Sequence, residues 1–171
     1  MKETPQQYIR RILGYQQGRS PLAVQRATTA RLERLLRGLS RAQLRRRPAP
    51  GKWSINEIVA HLADTELVGA YRLRMILSKN GTPIQAFDQD VWARNGNYNR
   101  VDPRMALKMF RALRASNLGL LRSLPPRRLR HYGIHAERGK ESVMRIIRLY
   151  AGHDLNHLRQ IEAIRRSFRA R

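Results

Sequence analysis

The sequence predicts an all-α fold: a four-helix bundle with a short extra helix at the N-terminus and long inter-helix loops. Three observations carry this. Four long segments repeat apolar residues at three- and four-residue spacing. Each opens on a capping residue, Ser20-Pro21, Ser54 with Glu57, Asp102-Pro103 or Ser142. Breaker-rich stretches, among them Asn80-Gly81-Thr82-Pro83 and Pro125-Pro126, separate them. At 171 residues with 42% apolar content, the chain is read as one domain, 1–171.

Taken in order, residues 4–14 make the short first helix, with Tyr8, Ile9, Ile12 and Leu13 apolar. Residues 21–38 follow, with Leu22, Leu32 and Leu36 on a stripe diluted by Gln25 and Thr29. Residues 40–53 are a connection that puts Arg45, Arg46 and Arg47 on the surface. Ser54 and Glu57 form a capping box that starts a helix to about Lys79. Its inward positions are Ile58, His61, Leu62, Thr65, Val68, Tyr71 or Arg72, and Met75, with Asp64 and Glu66 to the sides. Residues 80–101 are read as a long ordered flap carrying Phe87, Asp88, Asp90 and Trp92, with a helical turn at 91–94. The third long helix, 102–124, aligns Ala106, Phe110, Leu113, Asn117, Leu120 and Leu124. Residues 125–141 hold too many breakers for a long element. The fourth long helix, 142–168, aligns Val143, Ile146, Ile147, Tyr150, His153, His157, Ile161 and Ile164.

That last stripe contains the chemistry. His153 and His157 are four residues apart, so they share one helical face, and they stand where Leu or Ile is expected. A polar side chain in a buried stripe must be hydrogen-bonded or bind something. His61 is a third histidine on an inward face, and a bundle turns such faces toward one another. Three neutral imidazoles make a partial shell for zinc, nickel or ferrous iron, with a position left open. Histidines satisfied within a packed core are the competing account. Asp154 stands where a metalloprotease helix carries glutamate, so that class is excluded. His131 and His135, in a Gly- and Arg-rich connection, are expected to be exposed or to cap a turn.

Composition bounds the rest. The net charge is +23, and 30 of the 35 basic residues are Arg, spread along the whole chain. Nucleic acid is therefore a possible partner but not the favoured one. Without cysteine there are no disulfides, thiolate metal sites or cysteine nucleophiles. No apolar run approaches a membrane span, and no apolar signal core opens the chain, so a cytoplasmic location is expected.

Four motifs in order, Trp53-Ser54-x-x-Glu57-Ile58-x-x-His61-Leu62, Phe87-Asp88-Gln89-Asp90-x-Trp92, Gly133-x-His135-x-Glu137-x-Gly139 and His153-Asp154-x-x-His157-x-x-Gln160-Ile161, resemble the DinB/YfiT-like superfamily across residues 8–165. The resemblance implies an up-down-down-up bundle, a divalent metal on His61, His153 and His157, and a homodimer. It also implies metal-dependent hydrolases or S-transferases and isomerases that use an external low-molecular-weight thiol. On that reading the metal activates water or thiol against an unnamed small-molecule substrate. Asp88 or Asp90 orients a histidine or acts as a base, Arg72 or Arg74 holds an anionic group, and Gln160 reaches a ligand. The alternative is a non-catalytic, stress-related metal-binding module whose basic surface contacts an acidic partner or nucleic acid.

Overall fold

Residues 3–168 are described in a computed structural model. The helices are α1 (Pro5–Gln16), α2 (Pro21–Leu36), α3 (Arg41–Arg45), α4 (Ile55–Ser78), α5 (Gln89–Asn95), α6 (Pro103–Ser123) and α7 (Val143–Ser167). The strands are β1 (Thr82–Ile84), β2 (Tyr132–His135) and β3 (Gly139–Ser142). The four long helices begin where the caps predict. Ser54 accepts from the Glu57 N–H while the Glu57 side chain accepts from the Ser54 N–H, closing the capping box. Ser20, Asp102 and Ser142 cap α2, α6 and α7.

The connections explain their own length. Around the bundle α2 packs on α7 and α6, and α4 packs on α6 and α7. Successive long helices α2 and α4 are therefore diagonal, and so are α6 and α7. Residues 37–54 and 124–142 must cross the end of the bundle, which a short turn cannot do. The pairing of α4 with α7 is what functional chemistry needs, because it joins the two helices that carry histidines.

Two connections depart from expectation. The 40–53 segment contains the helix α3, which seats Leu44 in the core beside Leu32 and Ile55. The flap at 80–101 and the 125–141 connection are not irregular throughout. Parallel pairing of β1 with β2 sets Ile84 opposite His135, and antiparallel pairing of β2 with β3 sets His135 opposite Gly139. All three strands are three or four residues long, too short to show alternation in sequence, and paired positions of β1 and β2 are 51 residues apart in the chain. Gly133 is required in β2, because a Cβ there would lie 2.3 Å from the Ile84 side chain. Among the described residues no helix is long and apolar enough to cross a membrane.

Helix α1 is outside the four-helix ring and lies along α7. Its approach depends on Gly152, where a Cβ would stand 2.2 Å from the Ile12 carbonyl oxygen. That oxygen belongs to backbone and cannot swing aside.

Candidate metal centre

His61 reaches across from α4 to meet His153 and His157 on α7. His153 Nε2 is 3.0 Å from His61 Nε2 and 3.1 Å from His157 Nε2. One ligand nitrogen from each ring lies within 4.8 Å of the other two. His61 and His157 are buried and His153 is half-buried. Burial holds all three below the usual histidine range. His61 is depressed further by His157 and His153, His157 by His153, and His153 falls to about 4 under the added influence of Arg114. All three rings are neutral near pH 7, the form that donates a lone pair.

The donor set fits a metal ion. His157 Nδ1 is 2.9 Å from Gln160 Oε1, which can only accept, so its proton is on Nδ1 and its Nε2 lone pair faces the cluster. A proton on His153 Nε2 can point at only one of its two neighbours. The other close contact is then made without a shared proton. A cation at the centre would take all three Nε2 lone pairs at once. Imidazoles about 2.0–2.1 Å from zinc stand a little over 3 Å apart, close to the spacing of His153 from each of its two neighbours. His61 Nδ1 has no hydrogen-bond partner, so packing fixes that ring. Trp53 lies with its ring centroid 4.8 Å away, and Thr65 Oγ1 is 3.4 Å from Nε2.

Two cavities reach the cluster. One, of about 210 Å³, is lined by His61, His153, Thr65, Arg72, His135 and Tyr150. A wider one, of about 640 Å³, is lined by His157, Gln160, Trp53, Arg11 and Asp90. Tyr8 of α1 and Gln89 line both.

Behind the histidines is a buried ionic network that sequence periodicity missed. Arg114 donates to both oxygens of Asp154 at 2.6 and 3.1 Å and to Glu66 at 2.8 Å. Thr28 donates to Asp154 and Asn117 to Glu66. Glu66 is thus not at the side of its helix but 2% exposed. Arg114 replaces Leu113 as the inward residue of α6, in step with Phe110, Asn117 and Leu121. That spacing was the available signal. A charged residue in an apolar register marks a buried ion pair.

The other candidate residues are dispersed. Arg72 is buried and donates to the Gln85 carbonyl at 2.6 Å. Arg74 instead turns to α6, donating to Asn117 and Ser116. Asp88 caps α5, accepting from the Asp90 and Val91 N–H groups, which hold it below the usual carboxylate range. Asp90 is exposed at the wider cavity. His131 is partly exposed at the start of the hairpin. Of the two expectations for His135, exposure fails and turn-capping holds: it is 1% exposed, because β2 carries it inward over the smaller cavity, and its Nδ1 accepts from the Glu137 N–H in the β2–β3 turn.

The model of the DinB superfamily matches residues 25–161. The chain belongs to the DinB superfamily. Among similar DinB-like proteins, one from Oceanobacillus iheyensis named "putative metal-dependent hydrolase" is 29% identical over 137 residues, covering 78% of this chain and 79% of its own. YfiT of Bacillus subtilis carries the same description and is 24% identical over 139 residues, 80% and 78% of the two chains. The YfiT structure, described as having an unusual four-helix bundle topology, superposes with a TM-score of 0.82 at 21% identity over 86% of this chain and 85% of its own. A mycothiol-dependent maleylpyruvate isomerase shares the fold at TM-score 0.58 and 15% identity, over 79% of this chain and 59% of its own.

Proposed function

We propose that this DinB-superfamily protein is a metal-dependent enzyme in which His61, His153 and His157 hold a divalent ion, zinc, nickel or ferrous iron. The observation that carries the reading is the convergence of three neutral Nε2 atoms between two cavities. A divalent ion on three imidazoles keeps a position for water or a thiol and lowers the pKa of that ligand.

The chain's own residues prepare the site. Gln160 fixes the tautomer of His157. Trp53 packs tilted against His61 at 4.8 Å and lies near-parallel to His157 at 6.4 Å between centroids, forming one wall of the wider cavity. Asp90 lines the wider cavity together with His157 and Gln160, and we assign it as the carboxylate that takes a proton from an incoming nucleophile. Any thiol must come from outside, because the chain has no cysteine. The hydrolase naming of the relatives favours water, and the mycothiol dependence named for the isomerase favours a thiol.

The test is metal content by mass spectrometry in the wild type and a His61→Ala/His153→Ala variant, with cobalt substitution to read coordination by its visible spectrum. One ion per chain in the wild type and none in the variant is expected. Equal, near-zero metal in both overturns the reading. Ester hydrolysis and thiol consumption by the zinc-loaded protein then separate the two nucleophiles.

A further inference from the structure

Arg72 is a buried cation without a counter-ion. It is 6% exposed, and among the described residues no carboxylate lies within 4 Å of its nitrogens. The carboxylates nearby are committed elsewhere. Glu141 is held by two bonds from Arg138 at 2.7 and 2.9 Å, and Glu66 and Asp154 are held by Arg114. The Arg72 Nε has no partner, and the acceptors around the guanidinium, the Gln85 carbonyl and the Tyr150 hydroxyl, are uncharged. Buried charges are otherwise paired or bound to a ligand.

His135 adds a second unmatched donor. Its Nδ1 accepts from the Glu137 N–H at 3.1 Å, so a neutral ring carries its proton on Nε2. That Nε2 lies 3.5 Å from Arg72 Nη2, and neither atom can accept from the other. Two donors therefore converge at one place with no acceptor between them, and both residues line the smaller cavity.

The placement follows from helix geometry. Arg72 is 11 residues after His61, about three turns of α4, so both occupy one face about 16 Å apart at Cα. The Arg side chain leans back toward the N-terminus of its helix, which brings its head toward His61. The same cavity has apolar wall residues, Ile9, Ile12, Phe87 and Leu149 among them. Its volume of about 210 Å³ exceeds the engineered cavity of about 150 Å³ that accepts benzene. Of the charged residues that line the cavity, Arg138 is paired with Glu141 and Glu137 is exposed on the hairpin turn, so Arg72 is the buried charge without a partner of opposite sign.

We propose that Arg72 and His135 form an anion subsite, and that the smaller cavity takes a small monocarboxylate with an apolar or aromatic body directed toward the three histidines. A planar guanidinium matches a carboxylate with two parallel bonds. That the bound molecule is a substrate rests on the reading of the histidines as the reactive centre; the subsite itself does not.

The experiment is calorimetric titration of zinc-loaded and metal-free full-length protein with benzoate and with benzamide, its neutral counterpart. The wild type is expected to prefer benzoate by about ten-fold or more in both forms. Arg72→Gln is expected to bring the preference close to one, and Arg72→Lys to keep part of it. No saturable benzoate binding at millimolar concentration overturns the proposal. So does a preference that survives Arg72→Gln, or one confined to the zinc-loaded form, which would place the anion on the metal. If Arg72→Gln does not fold, the wild-type and Arg72→Lys comparisons decide. A wild type that binds no metal yet prefers benzoate defeats the metal reading and leaves the subsite standing.

Discussion

Gln160 Oε1 accepts a hydrogen bond from His157 Nδ1 at 2.9 Å, one helical turn further along α7. This bond selects the tautomer whose Nε2 lone pair faces His61 and His153. Replacing Gln160 with Leu removes the acceptor and frees the ring. Metal affinity is expected to fall by about 10- to 100-fold. Competition with a chromogenic chelator measures it, and an unchanged affinity would show that packing alone orients His157.

Arg114 neutralises two carboxylates that are almost wholly buried. Arg114→Met keeps much of the volume and leaves Glu66 and Asp154 facing each other unpaired. A loss of about 3–5 kcal/mol in urea unfolding is expected. A loss below 1 kcal/mol, on the order of a surface pair, would contradict the buried network.

Two helical glycines make opposite predictions. At Gly152 an added methyl meets the Ile12 carbonyl, so Gly152→Ala is expected to cost about 1–3 kcal/mol and to loosen α1. At Gly119, exposed on α6, nothing lies within 4 Å of an added Cβ. Gly119→Ala is expected to stabilise by about 0.5–1 kcal/mol. Thermal unfolding of the two variants side by side reads both signs, and rapid proteolysis ahead of Pro21 in Gly152→Ala reads the loosening.

Acid should destabilise the metal-free protein before ordinary carboxylate titration begins. The three buried histidines are held low in the folded state, so the unfolded chain takes up protons first as pH falls below about 6.5. Stability is therefore greatest above that pH and declines toward pH 4. His153, at about 4, accounts for about 3 kcal/mol of the decline. Glu57 and Glu141, both below their usual range, add to the loss at still lower pH. Urea midpoints from pH 7.5 to 4.5 test this, and a flat profile between 6.5 and 5 would refute it.

The helices were legible because their caps are local. Ser54 and Glu57 are three residues apart, and Asp102 precedes Pro103. The three histidines were legible because a polar residue in an apolar stripe is conspicuous at one helix's length. The sheet was not, since β1 and β2 meet from distant parts of the chain and neither is longer than four residues. Nor was the burial of His135, which depends on that pairing. Arg114 escaped for another reason. Its partners Glu66 and Asp154 are on two other helices, and hydrophobic spacing within one helix does not register charges answered from another.

The close seat of α1 on α7 divides the site by origin. The three histidines belong to the packed bundle, and changing their neighbours disturbs the core. Part of the wall facing them comes from α1, the 85–89 segment and the hairpin, and the rest, Arg72 included, from the bundle helices. A lineage can therefore revise which molecule is admitted by editing a peripheral panel, while the centre that acts on it is inherited intact.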